Sequence, residues 1–250
     1  MEGVITSENF YVDYHEIDYK KRASIATIMN YFEDISIYQS EKLGVGLKYL
    51  KDNNLAWVLY KWNIKINKYP KFGQDLEVRT IPLASRKFYA YRRFEIIDKE
   101  KNVIVTANTI WFLLDREKRK PIRISDDMKS AYGLTDVKEE PFKLPKIRCP
   151  KEYDYKKTFN IRYSDIDTNL HVNNVKYVSW FIETIPLDIV LNYDLDRLSI
   201  TYEKELKYGK HVDIYTSIKD KNDKSILFTH SIENHEGKRV TAGETHWVKK

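Results

Sequence analysis

Between Tyr163 and Asn174 the chain reads Tyr-Ser-Asp-Ile-Asp-Thr-Asn-Leu-His-Val-Asn-Asn, its densest run of polar side chains. Asp167, Asn169 and His171 recur at every second position, so in an extended segment they share one side. The run sits between a strand pattern and the start of a helical one. A helix start adds free backbone N–H groups and a positive dipole end, suited to a developing oxyanion. An acid, an amide and an imidazole beside such a site are suitable parts for acyl hydrolysis. The same residue types also make turns and caps, and a single histidine is more often structural than catalytic. The segment alone leaves both readings open.

Other chemistry is poorly supported. Gly44-Val45-Gly46 lacks a third glycine and follows a helix, so it makes no dinucleotide or phosphate loop. His15, His211, His230, His235 and His246 show no metal-ligand spacing, and no Gly-x-Ser-x-Gly elbow occurs. Cys149 is the single cysteine, which excludes an intrachain disulfide and a cysteine-based metal site. No metal and no cofactor is expected.

The polar run is positioned by elements that occur twice. In the first half, residues 9–17 alternate like a strand, and a helix follows from Ser24 with Ile25, Ile28, Met29 and Phe32 on one face. Ser24 suits an N-cap and Gly44 a stop. Strand patterns then cover 55–68, 75–82, 86–98 and 103–115. In the second half a strand is expected over 155–163 and a helix from Asn173 or Asn174, with Val175, Val178 and Ile182 on one face. Pro186 ends or kinks it before a short second helix. Strands follow near 197–207, 211–219, 225–234 and 240–248.

The halves also align residue by residue. Phe72-Gly73 to Thr80 pairs with Tyr208-Gly209 to Thr216, Glu16-Ile17-Asp18 with Asp165-Ile166-Asp167, and Thr106-Ala107 with Thr241-Ala242. Ser24 and Asn173 then fall in register. A repeat of this length indicates two copies of one unit. The expected organisation is a first unit over 1–133, a linker over 134–154 with Pro141, Pro145 and Pro150, and a second unit over 155–250. A strand, a long helix and four strands fold as an antiparallel sheet wrapped around the helix. The fold class is α+β, a double hotdog whose units lie side by side as a pseudo-dimer. At the places of Asp167, Asn169 and His171 the first copy has Asp18, Lys20 and Arg22, so only the second carries the polar set.

Composition bounds the setting. Hydrophobic residues make up 42% and aromatic residues 14%, enough for a packed core. No apolar run approaches the ~18 residues of a membrane span, and no secretory signal opens the chain, so a cytoplasmic protein is expected. The net charge of +6, from 43 Lys plus Arg against 37 Asp plus Glu, is compatible with an acidic macromolecular partner. Aromatic and basic residues are not interleaved as in nucleic-acid motifs, so nucleic acid is not the expected partner.

The run Asp165-Ile-Asp-Thr-Asn-Leu-His-Val-Asn-Asn-Val-Lys-Tyr177 closely resembles the signature of plant and bacterial acyl-ACP (acyl carrier protein) thioesterases. Arg22–Asn30 resembles that family's first helix start, Lys68–Gly73 its first sheet turn, and Ala107-Asn108-Thr109-Ile110-Trp111 its fourth-strand motif. The resemblance implies hydrolysis of fatty acyl-ACP to free fatty acid, ending chain elongation. An acyl-CoA thioesterase or a 3-hydroxyacyl dehydratase is the alternative, and a non-catalytic acyl or nucleic-acid binder a remote one. It implies Asp167, Asn169 and His171 as catalytic loop residues, and Glu205 as an acidic catalytic residue on the strand after the second helix. From its neighbours alone, Glu205 falls on a polar strand face with Thr201 and Glu203, where solvation is the simpler explanation. Plant members often carry a cysteine after that glutamate; here the position is Leu206, which removes a cysteine–histidine scheme. The resemblance also implies an acyl channel along Ile25, Ile28, Met29 and Phe32. It implies an acidic carrier protein docked on a basic cluster, with Arg86-Lys87, Arg92-Arg93 and Lys118-Arg119-Lys120 as candidates. A homodimer is left open.

Overall fold

A computed structural model describes residues 3–135, 142–149 and 152–249. Pro141 and Pro150 of the expected linker lie outside them. The chain divides into two compact units, Met1–Leu144 and Pro145–Lys250.

Unit 1 runs β1 (Thr6–Tyr11), α1 (Ile25–Lys42), α2 (Leu47–Asp52), β2 (Leu55–Ile66), β3 (Asp75–Arg86), β4 (Tyr89–Ile97), β5 (Val103–Asp115), β6 (Lys120–Pro121) and α3 (Asp126–Ala131). Its sheet is antiparallel in the order β1-β3-β4-β5-β2, with β6 added to β5. Ser24 caps α1 by accepting the Thr27 N–H at 3.1 Å, and Gly44 takes the left-handed φ of +74° that ends it. The buried stripe of α1 packs against β1 and β3. Phe32 lies 5.1 Å from Phe94 and 5.9 Å from Trp62, ring to ring.

Unit 2 repeats the plan: β7 (Tyr155–Asn160), α4 (Asn174–Thr184), α5 (Leu187–Asn192), β8 (Tyr193–Tyr202), β9 (His211–Lys221), β10 (Ser225–Asn234) and β11 (Arg239–Lys249). The sheet order is β7-β9-β10-β11-β8, which is the unit 1 order strand for strand. Both units are therefore hotdogs, α+β, with one long helix on an antiparallel sheet.

Several local expectations shift. Residues 9–17 are not one strand: β1 ends at Tyr11 and Tyr14–Glu16 form a 3-10 turn. Likewise β7 ends at Asn160 and Tyr163–Asp165 turn. In both places the acid at the third turn position, Glu16 or Asp165, accepts a backbone N–H three residues back, which favours the turn over a continued ladder. On α4 the buried face runs through Val175, Val178 and Phe181, while Ile182 is only half-buried. The short α2 and α3 lack the length for a clear period, although Ser125-Asp126-Asp127 is a legible cap and first turn. Within the expected linker, Leu134 is buried in a cluster with Val45, Leu113, Ile124, Met128 and Tyr132.

Candidate functional site

The loop between the 3-10 turn and α4 is a tight bend, not an extended strip. Asp167 N–H donates to His171 O at 2.8 Å, Leu170 N–H to Asp167 O at 3.1 Å, and Leu170 adopts φ +63°. The even spacing of Asp167, Asn169 and His171 therefore does not put them on one side of an extended segment. One Asp167 carboxylate oxygen accepts the Asn169 N–H at 2.8 Å and the His171 N–H at 3.3 Å. Leu170 projects into solvent at 75% exposure, and Asn169 is exposed beside it.

The first copy builds the same bend from different residues. Asp18 N–H donates to Arg22 O at 2.8 Å, and Asp18 Oδ1 accepts from Lys20 N at 2.8 Å and Arg22 N at 3.4 Å; Lys21 has φ +59°. An aspartate at this position thus holds a turn in both units, whichever side chains follow it.

The units part at the next layer. His171 Nε2 lies 3.2 Å from Glu205 Oε1, with both side chains partly exposed. Aligning Gly209 on Gly73 puts Glu205 opposite Tyr69, and aligning Asp167 on Asp18 puts His171 opposite Arg22. In unit 1 that pair is a guanidinium stacked 3.7 Å over the Tyr69 ring. The same two positions therefore meet in both copies, as a cation on an arene in one and as imidazole with carboxylate in the other. Glu205 is not on a strand: β8 ends at Tyr202, and Glu205 lies in the segment that leads to β9. Glu203 does not share its environment, being held by Arg239 at 2.9 and 3.1 Å.

Behind the bend, Asp165 is fully buried and tied to Arg162, with Lys176 at 4.0 Å. At the α4 start, Asn173 Oδ1 takes the Val175 N–H at 2.8 Å and Asn173 O takes the Lys176 N–H at 3.0 Å. Two first-turn N–H groups are already satisfied, so the helix end offers fewer oxyanion donors than its position in the sequence suggests.

Other sequence candidates fall elsewhere. Ile28, Met29 and Phe32 are completely buried in the unit 1 core, and Ile25 nearly so. The Arg92 guanidinium points inward, donating to Gln39 Oε1 at 2.7 Å and Thr80 Oγ1 at 2.6 Å. Arg92 is half-buried, and desolvation pulls its pKa down. Cys149 donates to the His230 carbonyl, and burial pushes its thiol pKa up, against thiolate formation. Cys149→Ala is expected to keep turnover within about twofold of wild type. Rapid inactivation by an alkylating agent that Cys149→Ala abolishes would contradict this.

A duplicated hotdog that, among the described residues, carries a histidine–carboxylate pair at this position in one copy only is the class that fold and site define. The family model for the acyl-ACP thioesterase N-terminal domain matches residues 3–132, and that for the C-terminal domain matches residues 149–249. The chain belongs to the acyl-ACP thioesterase family. It is 25% identical to a chloroplastic acyl-ACP hydrolase of Cuphea viscosissima over 98% of this chain and 63% of that protein. It is also 25% identical to oleoyl-acyl carrier protein thioesterase 1 of Arabidopsis thaliana, over all of this chain and 77% of that one. The chain thus spans under two thirds of the Cuphea relative's length. A Lactobacillus plantarum protein provisionally described as an oleoyl thioesterase superposes with a TM-score of 0.93 at 25% identity, covering 99% of this chain and 97% of its own. The 12:0-ACP thioesterase of Umbellularia californica shares the fold, with a TM-score of 0.85 at 22% identity over 98% and 94% of the two chains.

Proposed function

We propose that the protein hydrolyses the thioester of fatty acyl-ACP, releasing a free fatty acid and the carrier's thiol. The observation that carries this reading is the contact of His171 with Glu205 at the positions where the other copy has Arg22 and Tyr69. A carboxylate on Nε2 favours the imidazole tautomer protonated there, which leaves the Nδ1 lone pair to act as base. His171 then takes a proton from a water whose oxygen attacks the thioester carbonyl. The tetrahedral intermediate expels the thiolate, which takes the proton back from the imidazolium. Glu205 holds the ring and balances its transient charge. The exposed Asn169 amide is the donor we assign to the oxyanion. Asp167 keeps the bend closed, as Asp18 does without chemistry, so the hydrolytic work falls on His171 and Glu205.

The carrier would dock by charge. With the Arg92 guanidinium engaged by Gln39 and Thr80, the candidate cations are those of the hairpin tips, Arg86-Lys87 and Lys118-Arg119-Lys120, which are exposed. The test is thiol release from matched acyl-ACP and acyl-CoA at rising salt. The acyl-ACP rate is expected to fall several-fold between about 50 and 300 mM salt while a small thioester loses little, because screening weakens a charged encounter. Hydrolysis confined to acyl-CoA, or water loss from a hydroxyacyl thioester with no thiol released, would replace the reading.

A further inference from the structure

Two backbone segments bring His171 and Glu205 together, the start of α4 and the exit of β8, and the ties between them differ in the two copies. One tie is shared. The Val172 N–H donates to Leu206 O at 2.9 Å, and in unit 1 the Ala23 N–H donates to Pro70 O at 2.8 Å. Each joins the residues that directly follow the facing pair, His171 and Glu205 in one unit and Arg22 and Tyr69 in the other. This tie is backbone to backbone, so it persists in the copy that lacks the His–Glu pair.

The second tie is made by a side chain. β8 ends at Tyr202, whose hydroxyl donates at 2.9 Å to the carbonyl of Asn174, the first residue of α4. The phenol is buried and packs edge to face on Tyr177, with the rings 5.4 Å apart. With Gly209 aligned on Gly73, Tyr202 stands where unit 1 has Ile66, the last residue of β2. With Asn173 aligned on Ser24, Tyr177 stands where it has Ile28. Both isoleucines are buried and fill their places without a polar atom. A buried hydroxyl is costly unless it is bonded, so the Tyr202 phenol is tied to its acceptor where an isoleucine needs none.

Along the two segments, Tyr202 meets Asn174, Glu205 meets His171 and Leu206 meets Val172. The His–Glu contact is thus closed by a hydrogen bond on each side. The bond on the Tyr202 side has no counterpart in unit 1, because Ile66 has no hydroxyl to donate.

We propose that Tyr202 is a positioning residue, which by clamping the end of β8 to the first turn of α4 holds Glu205 at contact distance from His171. Its kinetic consequence rests on the thioesterase reading; its geometric consequence does not.

Tyr202→Phe removes one oxygen and keeps the ring. On acyl-ACP, kcat is expected to fall about tenfold with KM unchanged, since misplacement by about 1 Å costs up to about 10²-fold. In a crystal structure of the variant, the His171 Nε2 to Glu205 Oε1 separation should exceed the present 3.2 Å. Combination with Glu205→Ala separates positioning from general loosening. Once the carboxylate is gone the clamp has nothing left to place, so the double variant should turn over within about twofold of Glu205→Ala alone. Val178→Ala, fully buried on α4, serves as the stability control. It should lower the melting temperature at least as much as Tyr202→Phe while leaving kcat within about twofold. An unchanged His–Glu separation in Tyr202→Phe, losses that multiply in the double variant, or an equal fall of kcat in Val178→Ala overturns the proposal. If the wild type releases no thiol from any acyl thioester yet the separation still lengthens, the thioesterase reading fails and the positioning role stands.

Discussion

His171→Ala and Glu205→Gln are each expected to lose about 10³-fold in kcat on fatty acyl-ACP, the range for removing a general base together with its orientation. Glu205→Gln keeps the shape of the side chain and removes the charge that opposes an imidazolium, so its loss measures the electrostatic part of the pair. The matching changes in the other copy, Arg22→Ala and Tyr69→Ala, should leave the chemical step within about threefold. They break a stacked cation–arene contact worth about 0.5–2 kcal/mol, so they lower stability instead. Single-turnover thiol release at saturating enzyme, below the melting point of every variant, makes the comparison. Equal losses in both copies would falsify the assignment of chemistry to unit 2 alone.

Acid should destabilise unit 2 through one residue. His230 on β10 is completely buried, with Thr216 of β9 and Thr245 of β11 each 2.8 Å from one ring nitrogen and Phe181 of α4 stacked at 4.6 Å. None of these neighbours carries a charge, and burial pulls the imidazole pKa down from 6.5 to about 3. The neutral ring is thus preferred in the folded state. Its contribution is fully present above the unfolded value and is lost as pH falls towards the folded one. The slope is about 1.4 kcal/mol per pH unit, or on the order of 3 kcal/mol between pH 6.5 and 4.5. In unit 1 the position opposite Thr80, the counterpart of Thr216, is Phe94. His230→Phe should therefore be tolerated and less stable at pH 7, where Thr216 and Thr245 each lose a hydrogen bond to the ring, but flatter in acid. Urea unfolding from pH 7 to 4.5 decides: parallel curves for wild type and variant would mean that His230 does not set the acid limit.

Where local chemistry suffices, the sequence already determines the structure. Ser24 and Asn173 start their helices because each side chain can take a first-turn N–H, and Gly44 ends α1 because it can enter the left-handed region. The duplication was legible too, since the same order of elements recurs along the chain, and both units weave their strands identically. The polar run before α4 stood out by composition, and family resemblance alone singled out Glu205 within a stretch of charges. What the sequence could not supply was the meeting of His171 with Glu205, or its likeness to Arg22 over Tyr69. Those contacts join segments separated by the helix and a strand, and sheet register, a sum of many long-range pairings, sets where they meet.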